Sequence, residues 1–173
     1  MIYTLRRTIL IAAAIACACS GQSRASDAVD CQDAKNLELK AEACTRFLKR
    51  GPHPGDVAVV YVERGIAYAM QKKYDLALAD FSRSIESDPK SPLGYYNRAL
   101  LYGRTGEFEK SVADSTKTLE LDPDHPEVHS IRAVGYEKLN KKDLAIADYL
   151  RALEKDSNDP DTKAGLLRLG VTK

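Results

Sequence analysis

An all-α array of helix pairs is the fold class this 173-residue sequence predicts, and three observations predict it. The first is a period of 34 residues: Pro92, Pro126 and Pro160 fall in one register. Tyr68, Tyr102 and Tyr136 fall in a second, Arg64, Arg98 and Arg132 in a third, and Asp80, Asp114 and Asp148 in a fourth. A fixed period of this length is the mark of repeated supersecondary units that bury a continuous core only by stacking. The second is punctuation. Asp88-Pro89 and Asp122-Pro123 end helices, because the residue before proline avoids the α region, while Pro92 and Pro126 stand at helix starts, where the missing N–H costs little. The third is composition: 44% hydrophobic residues with a formal charge of +1 suit a packed domain, and exclude both a disordered chain and the clustered basic footprint of a nucleic-acid binder.

Residues 1–25 read as a leader. Arg6 and Arg7 precede an uncharged run from Thr8 to Ala18, followed by small residues, which is the layout of a secretory signal peptide. Ser23-Arg24-Ala25 offers the cleavage site and Ser26 the mature start, leaving 23 basic against 25 acidic residues. A second reading of the leader stays open: Ala14-Ile15-Ala16-Cys17 loosely resembles a bacterial lipobox, in which Cys17 carries a lipid and anchors the chain in the envelope. Export to the periplasm is the expectation under either.

Residues 26–57 are a degenerate leading half-repeat and connector, with a helix over Leu39–Arg50 and a loose link through Gly51-Pro52-His53-Pro54-Gly55. Residues 58–91 form the first full unit: a helix from Ala58 to Met70, a turn at Gln71–Lys73 and a helix from Tyr74 to Ser87. Residues 92–125 and 126–159 repeat this plan, with Gly106 and Asn140 in the turns. Residues 160–173 supply a capping helix and tail, with Asp159 as N-cap and Gly170 as the stop, and Leu166, Leu167 and Leu169 covering the last apolar face.

A 34-residue helix-turn-helix unit resembles the tetratricopeptide repeat, and the side chains agree. That family places aromatic residues at positions 4, 11 and 24, small residues at 8 and 20, and proline at 32. Tyr61, Gly65, Tyr68, Ala77, Phe81 and Pro89 fill those positions in the first unit, and Tyr95, Ala99, Tyr102, Ser111, Ser115 and Pro123 in the second. His129, Ala133, Tyr136, Ala145, Tyr149 and Ser157 fill them in the third. Ser115, His129 and Ser157 depart from the pattern and predict looser packing there. The resemblance implies a right-handed superhelix with a concave face. Counting the phase back by 34 puts Ala43 at position 20 and Phe47 at position 24, and places Cys31 and Cys44 at positions 8 and 21, on facing helices. A disulfide would then staple the leading unit, with two buried free thiols as the alternative.

The resemblance also implies where a partner sits. The family lines its groove with positions 2, 5, 9 and 12 of each first helix: here Val59, Val62, Ile66 and Ala69, then Leu93, Tyr96, Leu100 and Gly103, then Glu127, Ser130, Val134 and Glu137. Tyr96 is the expected anchor, with Asn97 and Arg104 at the rim. The expected occupant is another protein or peptide, and the alternative is a second copy of the chain or its own ends. Some members clamp a carboxylate with Lys, Arg and Asn. Only Asn97 matches that set, since Val62, Ile66, Glu127 and Ile131 stand at the other positions. No phosphate loop, Cys-x-x-Cys or nucleophile elbow is present, so neither a cofactor nor catalysis is expected. His125-x-x-x-His129 has helical spacing for metal, but its expected role is structural. Asp80, Asp114 and Asp148, once per unit, read as a solvated helix face.

Overall fold

The computed structural model describes residues 27–28, 30–32, 36–125 and 127–171. The leader 1–25, with Cys17 and the cleavage site, lies outside the described residues, as does Pro126. Eight helices have full bounds among the described residues: α1 Leu37–Lys49, α2 Pro54–Met70, α3 Tyr74–Ser87, α4 Pro92–Thr105, α5 Phe108–Leu121, α6 Val128–Lys138, α7 Lys142–Lys155 and α8 Pro160–Arg168. Residues 27–28 and 30–32 are also helical and face α1. Each helix packs on its successor, and the first helices α2, α4 and α6 also meet one another along the inner face.

Local chemistry sets these bounds. Within each pair the chain reverses through one left-handed residue, Lys72 (φ 61°), Gly106 (φ 88°) or Asn140 (φ 57°), again 34 apart. Between pairs, Asp88, Asp122 and Asp156 leave the α region, as an Asp-Pro step requires at the first two. Ser91 caps α4 by accepting from the Leu93 N–H, and Asp159 caps α8 by accepting from Asp161 and Thr162. Small residues let the helices close. A Cβ added to Gly65 would meet the Phe81 ring at 2.5 Å, and Ala77 and Ala145 have no exposed surface.

The two repeating charged columns prove to be one feature. Arg64 grips Asp80 through Nε at 2.7 Å and Nη2 at 2.8 Å, and Arg98–Asp114 and Arg132–Asp148 repeat this two-pronged geometry. The expected solvated acidic face is therefore wrong. Asp80, Asp114 and Asp148 are 1%, 8% and 4% exposed, because each has a guanidinium to neutralise it inside the helix pair. The hydrogen bond to Asp114 leads in holding the Arg98 guanidinium above its ordinary range, against the opposing effect of burial. The third arm of each arginine reaches the preceding unit: Arg64 to Thr45, Arg98 to Ser82 and Arg132 to Thr116.

That ladder corrects the register of the leading unit. Thr45 and Ser82 play the same part and lie 37 apart, and α1 and α3 likewise begin 37 apart, at Leu37 and Tyr74. Three residues are thus inserted relative to the later period. They lengthen α2 to 17 residues against 14 in α4, so Pro54 and Gly55 start a helix that His53 caps and do not belong to a loose connector. Counted by 37, Cys31 matches Tyr68 and Cys44 matches Phe81, the aromatic positions 11 and 24, and not positions 8 and 21. The two cysteines are joined, with Cα atoms 4.7 Å apart and side chains 1% and 0% exposed. Asp27, four residues before Cys31, pairs with Arg46 at 2.9 Å and with Arg50. In the cap, Leu166 is buried and Leu169 packs with it, but Leu167 is 61% exposed. A step of one residue turns a side chain about 100° round the helix, away from the face that 166 and 169 share.

Candidate functional site

The first helices line an inner face whose middle is apolar. Ile66, Ala69 and Met70 of α2 and Leu100 and Leu101 of α4 wall an open cleft of about 340 Å³, with Phe81 at its base and Asn97 and Arg104 among its lining. Met70 is 62% exposed, and Leu93 and Leu100 are each 41% exposed. Val59 of α2 and Val134 of α6 are also exposed but line separate clefts, Val59 beside Phe47 and Val134 beside Tyr149. Ile66, Asn97, Leu100 and Arg104 are thus brought together in one cleft.

Val62 is not in the groove. It is 4% exposed, because α2 is flanked by α1, α3 and α4 and Val62 turns into that packing. Tyr96 is half-buried and already engaged. Its hydroxyl donates to the Glu127 carboxylate and its ring lies 4.4 Å from that of His125. Burial first, then the bond to Glu127, pushes the phenol well above its ordinary range. Tyr96 is a joint between the second and third units before it is an anchor, and Met70 and Leu100 replace it as the exposed apolar side chains of the cleft. Asn97 donates back to the Leu93 carbonyl at 2.9 Å. Arg104 is exposed, with its guanidinium 5.8 Å from the Tyr74 ring centre.

Sequence reasoning missed a second such joint. Arg168 of α8 holds Glu137 of α6 with two bonds of 2.8 and 2.9 Å, and the Tyr149 hydroxyl donates to the same carboxylate at 2.6 Å. The hydrogen bonds from Arg168 lead in holding the Glu137 carboxyl below its ordinary range. Both joints span 31 residues, three short of the period, and that spacing is the signal that could have found them. His129 is buried with Nδ1 3.1 Å from Asp148, a structural contact. Among the described residues no group of three or more His, Cys, Asp or Glu side chains could hold a metal ion.

Stacked helix pairs with an open apolar groove and buried, internally paired charges define a binding scaffold. The comparisons agree. Tetratricopeptide repeat models match residues 58–91 and 96–160, more than half of the chain, and the chain belongs to the tetratricopeptide repeat family, whose members are protein-interaction modules and not enzymes. None of the curated proteins matches the chain by sequence. Among solved structures, the first such domain of Spaghetti (RPAP3), bound to the HSP90 peptide SRMEEVD, is 29% identical with a TM-score of 0.65, covering 66% of this chain and 91% of that one. The second domain of human RPAP3, in complex with the HSP70 peptide SGPTIEEVD, is 22% identical with a TM-score of 0.65, covering 69% and 100%. A tetratricopeptide repeat protein from Parabacteroides merdae is 23% identical with a TM-score of 0.75, covering 86% of this chain and 59% of its own. The last two show the fold alone.

Proposed function

We propose that this protein is a non-catalytic adaptor of the bacterial cell envelope that holds a partner peptide or helix in its concave groove. The observation that carries the reading is the apolar cleft between α2 and α4, where Met70 and Leu100 stand exposed side by side. Apolar surface left wet in one contiguous patch marks an interaction site. The peptide-bound RPAP3 domain supports the same use of the same fold. Export through residues 1–25 accounts for the envelope assignment, with cleavage after Ala25 preferred to a lipid on Cys17.

A photo-crosslinking residue placed at Leu100 tests the groove, with one at the exposed Arg151 of α7 as the control. Partner adducts from Leu100 and not from Arg151 support the reading. Adducts of twice the chain's mass at Leu100 would instead establish the self-associating protein, whose groove is filled by a second copy. Adducts from Arg151 alone would move the site to the outer face.

A further inference from the structure

Beside the apolar cleft lies a second one of about 450 Å³ that shares Leu100 with it. Its other lining residues are Ser130, Ile131, Ala152 and four acids: Glu127, Asp156, Asp159 and Asp161. No lysine, arginine or histidine is among them. The acids are not an internal ion pair. Glu127 accepts from the neutral Tyr96 hydroxyl, Asp156 from the Asn158 N–H, and Asp159 from the N–H groups that open α8. The Thr162 hydroxyl leads in holding the Asp159 carboxyl below its ordinary range. Against this stand roughly half a charge from the α8 N-terminus and Lys163, which lies near Asp159. Arg168 lines the adjoining cleft with Asp161, but its two bonds go to the Glu137 carboxylate, so most of the negative charge faces the groove uncompensated.

We propose that the groove selects a peptide bearing an apolar side chain followed, about three residues on, by a lysine or arginine. This rests on the groove reading above and specifies which peptides it takes. The apolar side chain enters between α2 and α4, at Ile66, Met70 and Leu100. The cation lies one first-helix spacing further, toward α6 and the start of α8. Packed helices stand about 10 Å apart, and an extended peptide covers that in about three residues at about 3.3 Å each. The preference is the inverse of the acidic peptide SRMEEVD held by the RPAP3 domain. Here Glu127 stands where a carboxylate clamp would need a basic or amide group, and repels such a ligand.

The test uses the full mature chain and two fluorescein-labelled peptide pools. Both carry Leu or Phe at one position within randomised flanks. Three positions on, one pool has Lys or Arg and the other Asp or Glu. Anisotropy at low ionic strength should show the basic pool binding about tenfold more tightly, with the gap closing at about 0.5 M salt. Asp156→Asn with Asp161→Asn, which spares the Asp159 cap, should narrow the gap at least about threefold. Equal binding of the two pools, tighter binding of the acidic pool, binding of neither, or a gap untouched by the double variant overturns the proposal. Leu100→Ser separates it from the groove reading. If that variant weakens two equally bound pools, the groove stands and the charge preference falls. If it weakens neither, the groove itself is wrong.

Discussion

Where α3 places Phe81 and α7 places Tyr149, the middle repeat places Ser115 at the same point of α5. All three are buried to within 2%. The outer repeats fill position 24 with a ring, against Gly65 in the first and below Gly165 of the cap in the third. The middle repeat fills its interior with Ser111, Ser115 and Thr118, none of them exposed. Ser111 donates to the Ala99 carbonyl and Thr118 to the Asp114 carbonyl, but the Ser115 Oγ has no hydrogen-bond partner among the described residues. The arginine–aspartate pair and the left-handed turn are the same in all three. Backbone geometry is thus held by the charged pair and the turn, while the ring at position 24 decides how much apolar burial each unit contributes.

The comparison breaks first at the ring. Phe81→Ala should cost about 3–5 kcal/mol, read by urea denaturation, and the loss should be centred on the first repeat because coupling is mainly between neighbours. A cost below that of a single buried methyl would mean the outer and middle units are held alike. Smaller and opposite in sign, Ser115→Ala removes an unpartnered buried hydroxyl and should leave stability unchanged or raise it by about 1 kcal/mol. A loss of that size would show that the hydroxyl has a partner. The smallest effect is in acid. The folded-state carboxyl of Glu137 is depressed, so its contribution is complete above the unfolded value of about 4.3 and is lost as pH falls through the folded one. Hydrogen exchange below about pH 4 should therefore show the third repeat and cap loosening before the middle repeat, and Glu137→Gln should reduce that pH dependence to the part contributed by the Asp159 cap.

Most of the helix plan was legible, because Asp-Pro steps, helix-starting prolines and left-handed turns are local chemistry repeated at 34. The leading unit was misnumbered because counting by a constant period assumes that no unit is longer. Cys31 and Cys44 lie 13 apart, a spacing that positions 8 and 21 share with positions 11 and 24, so it did not choose between the two registers. The arginine and aspartate columns were both visible, but joining them required knowing that residues 16 apart face each other across a pair. Val62 and Tyr96 were misjudged for a different reason. Both sit at position 5, and whether such a side chain turns inward or is claimed by Glu127 depends on the neighbouring helix, which an i, i+3, i+7 stripe does not encode.

The hydroxyl that each arginine reaches in the preceding unit has one further consequence. Excising residues 92–125 would set Arg132 in the place of Arg98, facing Ser82 instead of Thr116, one hydroxyl for another. The fastening between units is interchangeable, so the number of units is a free variable of the architecture. The groove is not, since the same excision removes Leu100, Tyr96 and half of the apolar cleft. Modularity here belongs to the joints, and individuality to the surface they display.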